Sequence, residues 1–184
     1  NAVFARALIA STHIARGNFG VAERALSELL PACDEVDDRF PAALAHLFLG
    51  DLALYQGRVD EAREHCVAAA QIAASYDLVE LAADADLRLA HVACDAGEIE
   101  EAKTLASSAM RVYFESNKDE GLARALDVLA CAESYSDLER ARQIATSAVH
   151  LRASIGFALP PAETAWIDKH MGAGASRRLT SPVP

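Results

Sequence analysis

The chain has 184 residues, 52% of them hydrophobic and 24% charged, which supports one packed domain and excludes a disordered segment. The balance of 17 basic against 27 acidic residues gives a formal charge of −10, a field that repels phosphates and anionic lipid and so argues against direct nucleic-acid or membrane binding. The apolar runs are short and broken by His, Asp or Arg, too short to cross a bilayer, and no secretory signal is present.

Asn1-Ala2-Val3-Phe4 leads at once into an apolar helical pattern without an initiator methionine, as a segment of a longer protein would. The spacing predicts a helix over 3–16, a turn at Gly17 and a helix over 19–33, followed by an acid run, Asp34-Glu35-Val36-Asp37-Asp38, that reads as a solvated loop. Pro41 suits the first turn of a helix over 41–56, and after Gly57 comes a helix over 59–75. Asp77 with Glu80 reads as the cap of a helix over 78–96, and Asn117 with Glu120 as the cap of one over 118–134. Between them Gly97 turns the chain into a helix over 98–116. Ser136 with Glu139 makes an S-x-x-E capping box for a helix over 137–155. Pro160-Pro161 with Glu163 open a short capping helix, and 172–184, Arg177-Arg178 included, reads as a flexible tail or linker.

A repeat underlies this order. Gly17, Gly57, Gly97 and Ser136 start four aligned stretches spaced 40, 40 and 39 residues apart. An apolar residue follows two on (Phe19, Val59, Ile99, Leu138) and an alanine five on (Ala22, Ala62, Ala102, Ala141). Glycine permits the reversal between helices, and alanine lets two helix backbones approach closely. Self-similarity at this period marks a helical repeat array. The units fall at about 3–38, 39–76, 77–116 and 117–156, with a cap over 160–171, so a repeat domain spans 1–171. No stretch alternates as a strand does, and the expected fold class is all-α.

Little in the chain carries catalytic or metal chemistry. His13, His46, His65, His91, His150 and His170 are scattered, none with zinc-site spacing, and His91 with Asp95, one turn apart, reads as a surface polar pair. Cys33, Cys66, Cys94 and Cys131 form no C-x-x-C pair and read as small buried hydrophobes of a reduced, cytoplasmic protein. Neither a nucleophile elbow nor a phosphate loop is present. We expect no catalytic residue, no metal and no cofactor.

The stretch Leu49-Gly50, Gly57, Ala62 and Ala69 in unit two resembles the tetratricopeptide-repeat pattern, although Ala10 and Leu129 stand where units one and four would carry the Gly50 equivalent. The long, alanine-rich units, and the closing Leu151-to-Ala165 stretch with its glycine turn and double proline, resemble the C-terminal arrays of large bacterial signal-transduction ATPases and of LuxR-type or antibiotic-regulator-type transcriptional regulators. That resemblance implies a right-handed superhelix of about four hairpins with Trp166, Ile167 and His170 facing back onto the array. It also implies a groove lined by the first helix of each pair, and the family's groove positions fall on Ser11, Asp51, Tyr55, Arg88, His91, Asp95 and Glu133. Three functions follow as expectations: a non-catalytic regulatory module that contacts proteins, peptides or other domains of its own polypeptide; a sensor that holds a small effector in the groove; or a stand-alone scaffold.

Overall fold

The structure is a computed structural model that describes residues 2–34 and 39–172, and every regular element among them is a helix. The first four helices are α1 (Ala2–Ala15), α2 (Phe19–Ser27), α3 (Leu29–Asp34) and α4 (Arg39–Tyr55). The central ones are α5 (Val59–Ser75), α6 (Val79–Ala96) and α7 (Ile99–Glu115). The chain closes with α8 (Asp119–Glu133), α9 (Leu138–Ile155) and α10 (Pro161–Met171). Among the described residues no helix is long and apolar enough to cross a membrane. Most of the acid run, residues 35–38, and most of the expected tail, residues 173–184, lie outside the described residues.

The helix expected over 19–33 is two helices, broken at Glu28. Pro31 accounts for the break. It has no N–H, and its ring conflicts with the carbonyl four residues earlier, on Ser27, so the chain restarts with Pro31 in the first turn of α3.

The connections share one hydrogen-bond scheme. Gly17, Gly57 and Gly97 sit at φ of 76°, 77° and 80°, the left-handed region that only glycine enters without strain. The next residue donates its N–H back into the helix just ended, as Arg58 does to Ala53 O at 2.8 Å and Glu98 to Ala93 O at 2.8 Å. Its own carbonyl then accepts the N–H of the repeat alanine, Ala62 at 3.0 Å or Ala102 at 3.0 Å, and so opens the next helix.

Asp77 and Asn117, read from the sequence as N-caps, hold the glycine's place in this scheme, at φ of 53° and 55°. Leu78 and Lys118 are the N-caps, and neither makes a side-chain cap bond. Asp and Asn are the residues besides glycine that tolerate this conformation, which is why their presence mimicked a cap signal. The Ser136 capping box is also corrected. Asp137 is the N-cap, its side chain accepting from Arg140 N at 3.0 Å, while Ser136 Oγ contacts Glu133 and Lys103.

Consecutive helices pack as pairs, α1 with α2, α4 with α5, α6 with α7 and α8 with α9, and α5 with α6 and α7 with α8 pack as well. In addition α1, α4, α6 and α8 touch one another in that order, forming a continuous layer. No comparable contact joins α5 to α7 or α7 to α9. Ala22, Ala62, Ala102 and Ala141 are fully buried at the pair contacts. The approach is close at Gly50, where an added Cβ would stand 2.6 Å from Cys66 Sγ on α5. Between α8 and α9, Asp127 and Arg152 form a buried ion pair. Burial pushes the Asp127 carboxyl up to about 6, against the pull of Arg152.

Candidate binding site beneath the last helix

Helix α10 lies across the α1–α4–α6–α8 layer, touching α8 and reaching back to α1. Its anchor is Asp95, near the end of α6. Trp166 Nε1 donates to Asp95 Oδ1 at 3.1 Å, His170 Nε2 donates to the same oxygen at 2.6 Å, and Lys169 Nζ meets Oδ2 at 2.9 Å. Burial raises the Asp95 carboxyl, but hydrogen bonds from His170 and Lys169 outweigh it and hold the group below its ordinary value. The Trp166 ring stacks edge-on to His91 at 4.4 Å and tilts against His170 at 4.4 Å. Trp166 and Ile167 are buried, and the second nitrogen of His170 meets the Tyr135 hydroxyl at 2.8 Å.

Between α10 and the layer remains a cavity of about 430 Å³. Ser11 and Thr12 of α1 line it, with Phe48, Asp51 and Tyr55 of α4, and Asp84, Arg88 and His91 of α6. The far wall is Tyr113 of α7 with Glu120 and Arg124 of α8, and α10 contributes Glu163. Gly121 lets α8 sit flat on the Tyr113 ring, since a Cβ there would meet ring carbons at 2.6–2.8 Å.

Both arginines of the cavity are paired across its walls. Arg88 Nη2 donates to Asp51 Oδ2 at 2.9 Å, and Nη1 donates to the Asp84 carbonyl at 3.0 Å. Arg124 Nε donates to both Glu163 oxygens, at 3.1 and 3.2 Å, and its Nη1 donates to Glu120 at 2.6 Å. Tyr113 donates its hydroxyl proton to Asp84 Oδ1 at 2.6 Å. Burial raises Asp51 and Glu163 above ordinary carboxylate values, with their arginines opposing. His91 donates from Nδ1 to the Leu87 carbonyl at 2.9 Å, and burial lowers its pKa to about 4, so the ring is neutral at pH 7 and Nε2 is an acceptor. Arg88 Nε is buried without a hydrogen-bond partner.

Of the groove positions named from sequence, Ser11, Asp51, Tyr55, Arg88 and His91 come together around this cavity. Asp95 does not line it, because α10 covers its carboxylate. Glu133 lies elsewhere: its carboxylate meets Lys103 Nζ of α7 at 3.2 Å and Arg140 Nε of α9 at 3.5 Å. As the last residue of α8 it points toward the α7 and α9 side of the array. Sequence reasoning missed Asp84, Tyr113, Glu120, Arg124 and Glu163. A signal existed in the i, i+4 pairs Asp84–Arg88 and Glu120–Arg124, which put acid and base on one face of neighbouring helices. Among the described residues no group of three or more His, Cys, Asp or Glu is placed to hold a metal.

No protein-family model matches the chain, and no curated protein matches it. Among solved structures, the crystal structure of BtubC (BKLC) from P. vanneervenii is similar, with a TM-score of 0.68 over 97% of this chain and 82% of that one. At 20% sequence identity the likeness is one of fold.

Proposed function

We propose that the chain is a non-catalytic regulatory module, a tetratricopeptide-like superhelix belonging to a larger bacterial signalling or transcription-regulating protein, and that its inner face holds a small effector. The observation that carries the effector reading is the cavity beneath α10. At about 430 Å³ it falls within the range of about 300–1,000 Å³ typical of small-molecule sites, with aromatic walls and a few convergent polar groups. The unsatisfied Nε of Arg88 is a buried donor that a ligand oxygen would answer. The first helices of successive pairs touch one another along α1–α4–α6–α8 whereas no comparable contact joins α5, α7 and α9, which supports the superhelix, since an array curves toward the side where its like helices touch. A ligand touching four successive pairs and α10 at once would be read by the whole array.

One observation favours the protein-contact reading as well. The layer already receives one helix, α10, through Trp166 and His170, as a groove accepts a partner helix. A partner at that place would have to displace α10.

The test is to denature purified protein and identify small molecules released from it by mass spectrometry, alongside an Ala162→Trp variant that fills the cavity, whose wall Ala162 of α10 lines. A stoichiometric compound released by the parent and missing from the variant is expected. A parent that releases nothing and whose melting temperature moves with no compound of a metabolite library, while a chain cut before Pro160 captures a helical partner, would reject the effector reading in favour of protein contact.

A further inference from the structure

We infer that the ligand of this cavity is a small organic cation, an amine or guanidine rich in N–H donors; this rests on the effector reading above. The argument comes from the balance of donors and acceptors in the walls. Four carboxylates line the cavity, Asp51, Asp84, Glu120 and Glu163, against two guanidinium groups, Arg88 and Arg124. Both arginines already have carboxylate partners drawn from that set. An anion would have to strip one of these arginines from its partner, whereas a cation meets two uncompensated negative charges.

Three of the four lining hydroxyls, those of Ser11, Thr12 and Tyr113 but not Tyr55, point the same way. Ser11 and Thr12 spend their protons on the Leu8 carbonyl, and Tyr113 spends its proton on Asp84, so all three present only lone pairs to anything further. His91 likewise offers Nε2 as an acceptor. Against these acceptors stand two donors, the Arg88 Nε and the Tyr55 hydroxyl, so a ligand that satisfies the walls brings positive charge and more protons than lone pairs. Phe48, Tyr55 and Tyr113 supply aromatic rings, near which alkylammonium and guanidinium ions are also favoured. A neutral sugar of the same size would gain hydrogen bonds but leave the charge unmatched.

The experiment is calorimetric titration of the whole chain with six probes: spermidine, agmatine and glucosamine as cations, glucose as a neutral control, and glutarate and sulfate as anions. The cations are expected to bind and raise the melting temperature, glucose and the anions not. Asp84→Asn, which keeps an oxygen for the Tyr113 hydroxyl, should weaken cation binding about tenfold or more, the effect of one charged hydrogen bond. Glu139→Gln, a change on the exposed face of α9, should leave it unaltered. Tighter binding of glucose, glutarate or sulfate than of any amine overturns the cation assignment while keeping a ligand in the cavity. If no probe binds, or if cation binding is the same in the parent, Asp84→Asn and Ala162→Trp, both the cation assignment and the cavity reading fall.

Discussion

Replacing Asp95 by Ala removes the single group on which three side chains of α10 converge. Two of the three bonds are buried: the Asp95 and His170 side chains are 2% and 3% exposed, and Trp166 is 5% exposed. Each buried donor loses a bond to a charged acceptor, about 1.5–3 kcal/mol apiece. Lys169 is 57% exposed, so its ion pair adds no more than about 1 kcal/mol. The sum is roughly 3–7 kcal/mol. Against it stands the apolar docking of α10, for which Trp166 alone covers about 150–250 Å² and contributes about 4–6 kcal/mol at about 25 cal/mol per Å². These magnitudes are comparable, so the variant's α10 should come loose well before the array unfolds. Trp166 is the chain's only tryptophan, and its fluorescence reports α10 directly while far-UV circular dichroism reports the array. In urea, Asp95→Ala should show a red-shifted, quencher-accessible Trp166 in a first transition, with the circular dichroism transition following later. Coincident transitions at the parent's midpoint would refute the anchor role.

The same anchor is pH-dependent. Because the folded Asp95 carboxyl lies below its ordinary value, its contribution is fully present above the unfolded pKa of about 3.9 and is lost as pH falls through the folded one. Trp166 exposure in the parent should therefore rise on acidification below about pH 4, while Asp95→Asn should already be exposed and lack that step. Gly50→Ala should cost about 1–3 kcal/mol by driving a methyl into Cys66 Sγ, and adding Cys66→Ala should recover part of it, as read by urea midpoints. Asp77→Gly should stabilise the chain by up to about 1 kcal/mol by relieving a left-handed Asp, while Gly57→Ala should destabilise it by about as much. Arg152→Met strands a buried carboxylate and should cost about 3–5 kcal/mol, whereas Asp127→Leu with Arg152→Met should restore most of it.

How far the fold was legible depends on how narrowly each position constrains its residue. The turn glycines and repeat alanines were readable because φ near +77° at Gly57 and full burial at Ala62 each admit few residue types. Asp77 and Asn117 were misread because Asp and Asn serve two positions, the N-cap and the left-handed C-terminal residue, and composition does not separate them. Phase does separate them: Asp77 falls midway between Gly57 and Gly97, and Asn117 between Gly97 and Ser136, where the hydrogen-bond scheme requires another chain reversal. Pro31 was passed over because apolar periodicity continues through it, although its missing N–H cannot.

The cavity was less legible, for a reason visible at His91 and Asp95. One turn apart on α6, they read as partners of each other. A buried carboxylate is stable only when several donors, preferably charged, meet both its oxygens, and one neighbour on the same helix supplies at most one. Asp95 therefore takes its donors from residues 71 and 75 positions later in the chain, while His91 turns its own N–H to Leu87 and gives its ring face to Trp166. The i, i+4 pairs Asp84–Arg88 and Glu120–Arg124 follow the same logic. On isolated helices they would be exposed pairs of small effect. Here Arg88 reaches past Asp84's carboxylate to Asp51 on α4, and Arg124 reaches Glu163 on α10, because the layer and α10 bring these groups within bonding distance across the cavity. Spacing along one helix names the residues that face a cavity, but the partner each one takes is decided by which helix is laid over it.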